Sequence, residues 1–258
     1  MNKTKLKTSL FIVSSFLIPA IIMFFIYLSQ GIYWNSDTSP LLGDGYHQYV
    51  IFDTTLRNIL HGTDSLFYSF QSGLGINFYA LSSYYLGSFF SPLVYFFNAQ
   101  SMPDAVYLIT LLKFGAIGLS TYISLHGMFS KIPRSLVLTL STSFALMSFA
   151  ISQIEIKTWL DVFILAPLIL YGFKKLIYNE GEVLYFISLT SLFIQNYYFG
   201  FMMSIFLILW YLTQLSWNIK KIGKRFFHFV IVSLLSVITS LVMLYPTFLD
   251  LRTHGESF

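Results

Sequence analysis

Three groups of residues have the types and spacing to do chemistry. The first is Leu42-Gly43-Asp44-Gly45-Tyr46-His47-Gln48-Tyr49. Glycines on both sides let the backbone turn sharply and leave the Asp44 carboxylate accessible. Such an acid can act as a general base toward a hydroxyl, or it can simply cap the helix whose apolar spacing begins at Tyr46. His47 lies three residues after Asp44, a spacing that permits one edge of a metal site. The second group is Gln153-Ile154-Glu155-Ile156-Lys157-Thr158-Trp159-Leu160-Asp161, in which Glu155 and Asp161 flank Lys157. These acids can join Asp44 in a divalent-metal site or position an acceptor. The plainer reading is a solvated loop in which Asp161 caps the next helix.

The third group is cationic. Lys113 lies within an apolar stretch, and a lysine at membrane depth usually has a function. It can meet a lipid phosphate as a point charge or snorkel to the interface. Arg57 faces the same choice, and Lys157 is a third candidate for the phosphate. Asp53 interrupts an apolar helical stripe, so a partner inside the protein is expected. Asp104 follows Pro103 in a first helical turn, where capping and dipole chemistry suffice. Asn196-Tyr197-Tyr198-Phe199-Gly200 is an aromatic stripe at a polar break. Tyr197 and Tyr198 can stack on a sugar or form an aromatic belt.

These residues sit in a chain built for lipid. Of 258 residues, 56% are hydrophobic, 19% aromatic and only 10% charged, and the mean hydropathy is +0.70. Soluble domains carry roughly 25% charged residues, so this is a polytopic membrane protein. The aromatic content excludes disorder. The absence of cysteine excludes a disulfide scaffold, a thiolate metal site and a Cys nucleophile. The sequence contains no internal repeat, Gly-rich phosphate loop or His-x-x-x-His pair.

Apolar stretches of about 20 residues mark the crossings. Seven are expected, near 9–28, 104–127, 135–152, 160–174, 183–196, 199–216 and 226–246. Val183–Leu215 has 33 residues, about 50 Å as one helix, so it is divided at Gln195-Asn196-Tyr197-Tyr198. Leu81–Phe97 decides the topology. If it stays at the interface, eleven basic residues, among them Lys131, Arg134, Lys174, Lys175, Lys220 and Lys221, share the N-terminal side with Glu180 and Glu182, and nine acids share the other. If it crosses, those basic loops face outward. The positive-inside rule selects the first arrangement. The protein is then an all-α, multi-pass protein of the cytoplasmic membrane, with its N-terminus cytoplasmic. Residues 1–258 form a single transmembrane module, and 29–103 form a long outer loop with interfacial helices. Orientation in the bilayer accounts for the net charge of +4, so no nucleic-acid partner is implied.

Several short pieces stand in a distinctive order along the chain. They are Gly43-Asp44 with Gln48-Tyr49, Tyr68-Ser69-Phe70 with Gly73-Leu74-Gly75-Ile76-Asn77-Phe78, and Tyr84-Tyr85-Leu86 with Ser91-Pro92. Trp159-Leu160-Asp161 with Pro167-Leu168, and Asn196-Tyr197-Tyr198-Phe199-Gly200-Phe201-Met202, complete the set. The ordered set resembles the YfhO family of bacterial membrane proteins, and that family looks like type C glycosyltransferases, which share a seven-helix module with membrane-parallel helices in a long first outer loop. The resemblance implies transfer of a sugar from a polyprenyl-phosphate carrier to a cell-envelope polymer such as lipoteichoic acid. By resemblance Asp44 is the catalytic acid of the first outer loop, and Asp161 and Glu155 are the acids of the second. Family members are longer, so the chain is expected to be the N-terminal part of a larger protein. The developing charge on the lipid phosphate calls for a cation, from Lys113, Arg57, Lys157 or a divalent metal. A lipid-linked-sugar transporter, a scaffold subunit or an inactive fragment is the rival expectation.

Overall fold

The computed structural model describes residues 3–71, 75–217 and 223–254. Lys220 and Lys221 of the basic set, Gly73-Leu74 of the motif, and residues 255–258 lie outside them. The described residues are helical, apart from loops and one isolated antiparallel bridge between Ser69 and Ile76.

Each expected crossing falls on helix. The first lies in α1, Lys3–Ser29. The long loop then holds α2, Val50–Leu60, and α3, Phe78–Tyr85. The second crossing is α4, Met102–Met128. The third is interrupted at Leu146-Met147, giving α5, Arg134–Ala145, and α6, Ser148–Ser152. α7 is Lys157–Tyr178, α8 is Val183–Gln195, α9 is Tyr197–Trp217 and α10 is Phe226–His254.

Five helical stretches among the described residues are long and apolar enough to cross a membrane: Thr8–Ser29, Met102–Met128, Arg134–Ser152, Tyr197–Leu215 and Gly223–Thr253. The other two of the seven expected crossings fall short for different reasons. α7 has 22 residues but carries Lys157, Asp161, Lys174 and Lys175. α8 has 13 residues, about 20 Å of helix against a hydrocarbon core of ~30 Å. Both are packed among other helices. Leu165, Ile169 and Phe173 of α7 meet Leu189 and Leu192 of α8 and Phe229 of α10 in the larger core. Gly172 permits that approach, since a Cβ there would lie 2.5 Å from the Tyr185 backbone nitrogen. α4 is the central helix: 61% of its apolar stretch is buried, against 17–22% for the other four.

The α8–α9 break has a local cause. Asn196 is extended (φ −159°, ψ 96°), and its side chain accepts the Phe199 N–H at 3.1 Å. It therefore ends one helix and caps the next.

Charge separates along the bundle. At one end Arg134 donates to the Thr8 hydroxyl (2.7 Å) and Lys174 to the Met128 carbonyl (2.5 Å). At the other end the long loop meets the start of α7, and Asp104 accepts the Asn35 N–H at 2.7 Å. Leu81–Phe97 is part of α3 followed by a 3-10 turn over Ser91–Phe96. Neither piece is long enough to span a bilayer. α3 lies against α10: Tyr79 donates its hydroxyl to the Val242 carbonyl (3.0 Å), and Ser83 and Thr247 share a hydrogen bond (2.7 Å).

The chain has no native cysteine, so single cysteines report sidedness directly. Ser65→Cys and Ser152→Cys are expected to react with an impermeant maleimide on intact cells. Lys131→Cys and Glu180→Cys are expected to react only after permeabilisation. Labelling of Lys131→Cys and Ser152→Cys from the same side would remove the crossing over α5 and α6.

Candidate functional site

The long-loop end brings Asp44 and Glu155 together. Gly43 has φ +45°, in the left-handed region, and a Cβ on it would overlap the Glu155 carboxylate. Gly45 lies against the Glu155 backbone, with 3.5 Å from its Cβ direction to the carbonyl oxygen. Glu155 thus rests on both glycines that flank Asp44. Asp44 is exposed and Glu155 half-buried, and neither forms an ion pair among the described residues. The capping alternative for Asp44 is not used: its side chain makes no capping hydrogen bond. Asp44 instead accepts from the Gln48 amide nitrogen at 3.2 Å. The turn that follows, Gly45–Tyr49, is π-helical and runs directly into α2; such turns are frequent at functional sites.

Behind this pair lies a buried ionic network. Lys113 of α4 donates to Asp161 Oδ2 (2.6 Å) and to the Lys157 carbonyl (2.8 Å). Ser88 of the long loop donates to Asp161 Oδ1 (2.8 Å). Lys157, at the start of α7, donates to both carboxylate oxygens of Asp53. Tyr49 and Thr158 share a hydroxyl hydrogen bond of 3.0 Å, and the Lys157 ammonium lies 5.7 Å from the Tyr49 ring centroid. No side chain of the two ion pairs is more than 3% exposed. The spacing explains the geometry. Tyr49 and Asp53, and likewise Lys157 and Asp161, are four apart and share a helix face. Asp53 has the internal partner its apolar position demanded.

The remaining candidates are placed elsewhere. Arg57 donates to the Phe97 carbonyl (3.0 Å) and to Asn58 (3.1 Å), bracing the loop. His47 packs edge-on to Tyr46. Among the described residues no group of three or more His, Cys, Asp or Glu is arranged to hold a metal. The third acid expected beside Asp44 and Glu155 was Asp161, which Lys113 and Ser88 occupy instead.

Two concavities open at this end of the bundle. One is an apolar cavity of about 190 Å³, lined by Met23, Ile26, Tyr27, Ile32 and Ile154 among others, with Glu155 on its wall. The other is a cleft of about 270 Å³ between α3 and the end of α10, lined by Tyr84, Tyr85, Tyr197 and Asp250 among others. Tyr198 is 53% exposed and does not line it. Burial pushes the Tyr49 phenol up, and its hydrogen bond to Thr158 only partly offsets this. Burial also raises Tyr85, and the Asp44 charge pushes both phenols the same way. Both stay protonated at neutral pH.

The bacterial membrane protein YfhO family matches residues 14–258. The chain belongs to the YfhO family. No curated protein and no solved structure matches it. Membership of this glycosyltransferase-like family, with five apolar helices of membrane-spanning length among the described residues, makes the chain a multi-pass bacterial membrane protein. Parts of the YfhO-like pieces meet in space: Tyr84, Tyr85 and Tyr197 line one cleft, and Asp161 lies in the buried network that docks the long loop.

Ser88 and Thr158 carry this geometry without having been named as candidates in the sequence, and Tyr84 and Tyr85 entered only as one of the YfhO-like pieces. The four-residue spacings of Tyr49/Asp53 and Lys157/Asp161 were the available signal. Removing one partner of a buried pair strands the other charge, at a cost of about 3–5 kcal/mol. Lys113→Met is therefore expected to lose stability on that scale in a detergent unfolding titration. Lys113→Met combined with Asp161→Leu is expected to recover most of it. Equal destabilisation by the single and double variants would mean that the pair does not act as a unit.

Proposed function

We propose that this YfhO-family protein is an inverting membrane glycosyltransferase. It takes a sugar from a polyprenyl-phosphate carrier at the outer face of the cytoplasmic membrane. The acceptor is a hydroxyl of a cell-envelope polymer such as lipoteichoic acid. The observation that carries this reading is the placement of Asp44. It is an exposed carboxylate with no cation partner among the described residues, held beside Glu155, which lines an apolar cavity.

In this reading Asp44 accepts the proton of the acceptor hydroxyl as that oxygen attacks the anomeric carbon. The new C–O bond forms on one face of the sugar. The bond to the lipid phosphate breaks on the opposite face, and the phosphate leaves with the bonding pair. A single displacement inverts the anomeric centre. Glu155 keeps the local field negative and orients the acceptor. The apolar cavity beside Glu155 suits the first isoprene units of the carrier. Asp161, Lys113 and Lys157 then act as positioning residues, because each charge is already neutralised by a buried partner. Arg57 braces the loop by its bonds to Phe97 and Asn58. Among the described residues no third His, Cys, Asp or Glu joins Asp44 and Glu155 to hold a metal.

The interruptions at Leu146-Met147 and at Asn196 favour a second reading. Discontinuous helices are a feature of transporters, so the chain can also be read as a lipid-linked-sugar transporter or a scaffold subunit.

The deciding experiment is NMR of envelope-polymer sugar in a host deleted for the gene and complemented with wild-type or Asp44→Asn protein. Complementation uses this chain and any longer native form. Loss of a general base typically lowers rate by about 10²–10⁴-fold, so Asp44→Asn is expected to abolish detectable sugar while keeping wild-type thermal stability. Full sugar with Asp44→Asn would end the base assignment. Retained sugar-lipid translocation by that variant would favour the transporter.

A further inference from the structure

α9 and α10 both pack on α8 but hardly on each other. At the end of the bundle away from the long loop they touch through Tyr211, whose ring stacks on Phe229 (5.1 Å, 5°) and meets Phe226 at 5.8 Å. Beside this contact the two helices leave a groove of about 190 Å³. Ser204 and Ile208 of α9 and Ser233 and Leu234 of α10 line it, and the buried rings of Tyr185 and Phe229 form its floor. Ile208 and Leu234 are more than half exposed, so the groove opens away from the bundle, toward hydrocarbon. Its hydroxyls are used internally. Tyr185 and Ser233 share a hydrogen bond (2.8 Å), Ser233 donates to the Phe229 carbonyl (2.8 Å) and Ser204 to the Gly200 carbonyl (2.9 Å). The groove therefore suits an apolar chain and not a sugar.

Its end is basic. Arg225, Phe229 and Ser233 are four apart in the continuous helical stretch Gly223–Thr253 and share one face. The stripe that lines the groove thus ends on Arg225, with exposed Lys224 beside it. From Lys220 to Arg225 the sequence has four basic residues and no acid. The acids between α7 and α8 are Glu180 and Glu182, and Glu182 lies 3.8 Å from His228. Neither Lys224 nor Arg225 forms an ion pair among the described residues. We infer that the groove and Arg225 together hold one anionic glycerophospholipid of the leaflet at this end. One acyl chain lies between α9 and α10, and the phosphate meets Arg225 and Lys224. A transmembrane helix is a poor occupant. It is about 10–12 Å across and needs a lane along the bilayer, whereas Phe229–Leu234 covers only about 8 Å of α10. The site is at the opposite end from Asp44 and takes no part in the proposed transfer.

The test is native mass spectrometry of the full chain released from detergent micelles. The probes are dioleoyl phosphatidylglycerol, dioleoyl phosphatidylcholine and soluble glycerol phosphate. One phosphatidylglycerol is expected to stay bound, about fivefold or more tighter than phosphatidylcholine, the scale of one basic side chain at an anionic membrane surface. Arg225→Gln is expected to weaken phosphatidylglycerol by about fivefold and leave phosphatidylcholine unchanged. Ser204→Phe fills the groove and is expected to weaken both lipids by more than about tenfold, the scale of two methylenes returned to the bulk. Ile208→Trp repeats that test from the exposed rim should Ser204→Phe fail to fold. Lys131→Gln, a basic loop residue between α4 and α5, is the control and is expected to change neither lipid. Each variant is checked by thermal unfolding. Equal affinity for the two lipids, unchanged binding in a folded groove-filling variant, or equal losses in Arg225→Gln and Lys131→Gln would overturn the site. Displacement by glycerol phosphate would reduce it to a phosphate site without a chain. A dimer dissolved by Ser204→Phe would give the groove to a second copy instead.

Discussion

Two buried lysine–aspartate pairs join the long loop to the bundle, and most of the site depends on them. Lys113 is on the central helix, Lys157 and Asp161 are on α7, and Asp53 is on the loop helix α2. Burying any one of these charges alone would be prohibitive in an apolar bundle. Together they balance two positive charges with two negative ones, and Ser88 and the Lys157 carbonyl fill further hydrogen-bonding positions. Such pairs are weak contributors to net stability but strong constraints on arrangement, because any other packing leaves a charge unmatched. Here they fix how α2 and the turn after α3 sit on the first turn of α7.

That docking sets the position of the exposed acids. Glu155 lies two residues before Lys157, and Asp44 precedes the π-helical turn that leads into α2. Anchoring Lys157 to Asp53 and Tyr49 to Thr158 draws these two segments together. The missing side chains of Gly43 and Gly45 then let Glu155 settle against the turn that carries Asp44. The division of labour is clear in the charges. Asp53 and Asp161 meet lysines and hold the structure, whereas Asp44 and Glu155 form no ion pair among the described residues. An inventory of carboxylates by type alone would have grouped Asp161 with Asp44; their surroundings separate them.

The short and interrupted helices have a related logic. α8 is too short to span, and α7 carries charge at both ends, yet the two form the larger core with α10. Their burial by neighbours removes the need for a full lipid-facing length. The break at Asn196 brings Tyr197 to the cleft that Tyr84 and Tyr85 line. A continuous helix would have carried that residue past the cleft.

Much of this was written in local sequence. Apolar length and low charge define a helical membrane protein, because only internally bonded backbone can face lipid. The polar break at Asn196, the helix after Asp44 and the need of Asp53 for a partner follow from residue type and neighbours alone. The distribution of lysines predicts two unlike ends, and among the described residues Arg134 and Lys174 do lie at the end away from the long loop. Which charge meets which was decided only by tertiary structure. Lys113 and Asp161 are 48 residues apart, and Lys157 and Asp53 are 104 apart. No local spacing encodes contacts at that distance. They exist because α4, α7 and the long loop pack at one end of the bundle. The same packing turned Lys113, Lys157 and Asp161 inward and left Asp44 and Glu155 facing out. The physical reason is desolvation: a buried charge requires a partner, and only the assembled helices determine which charges are buried.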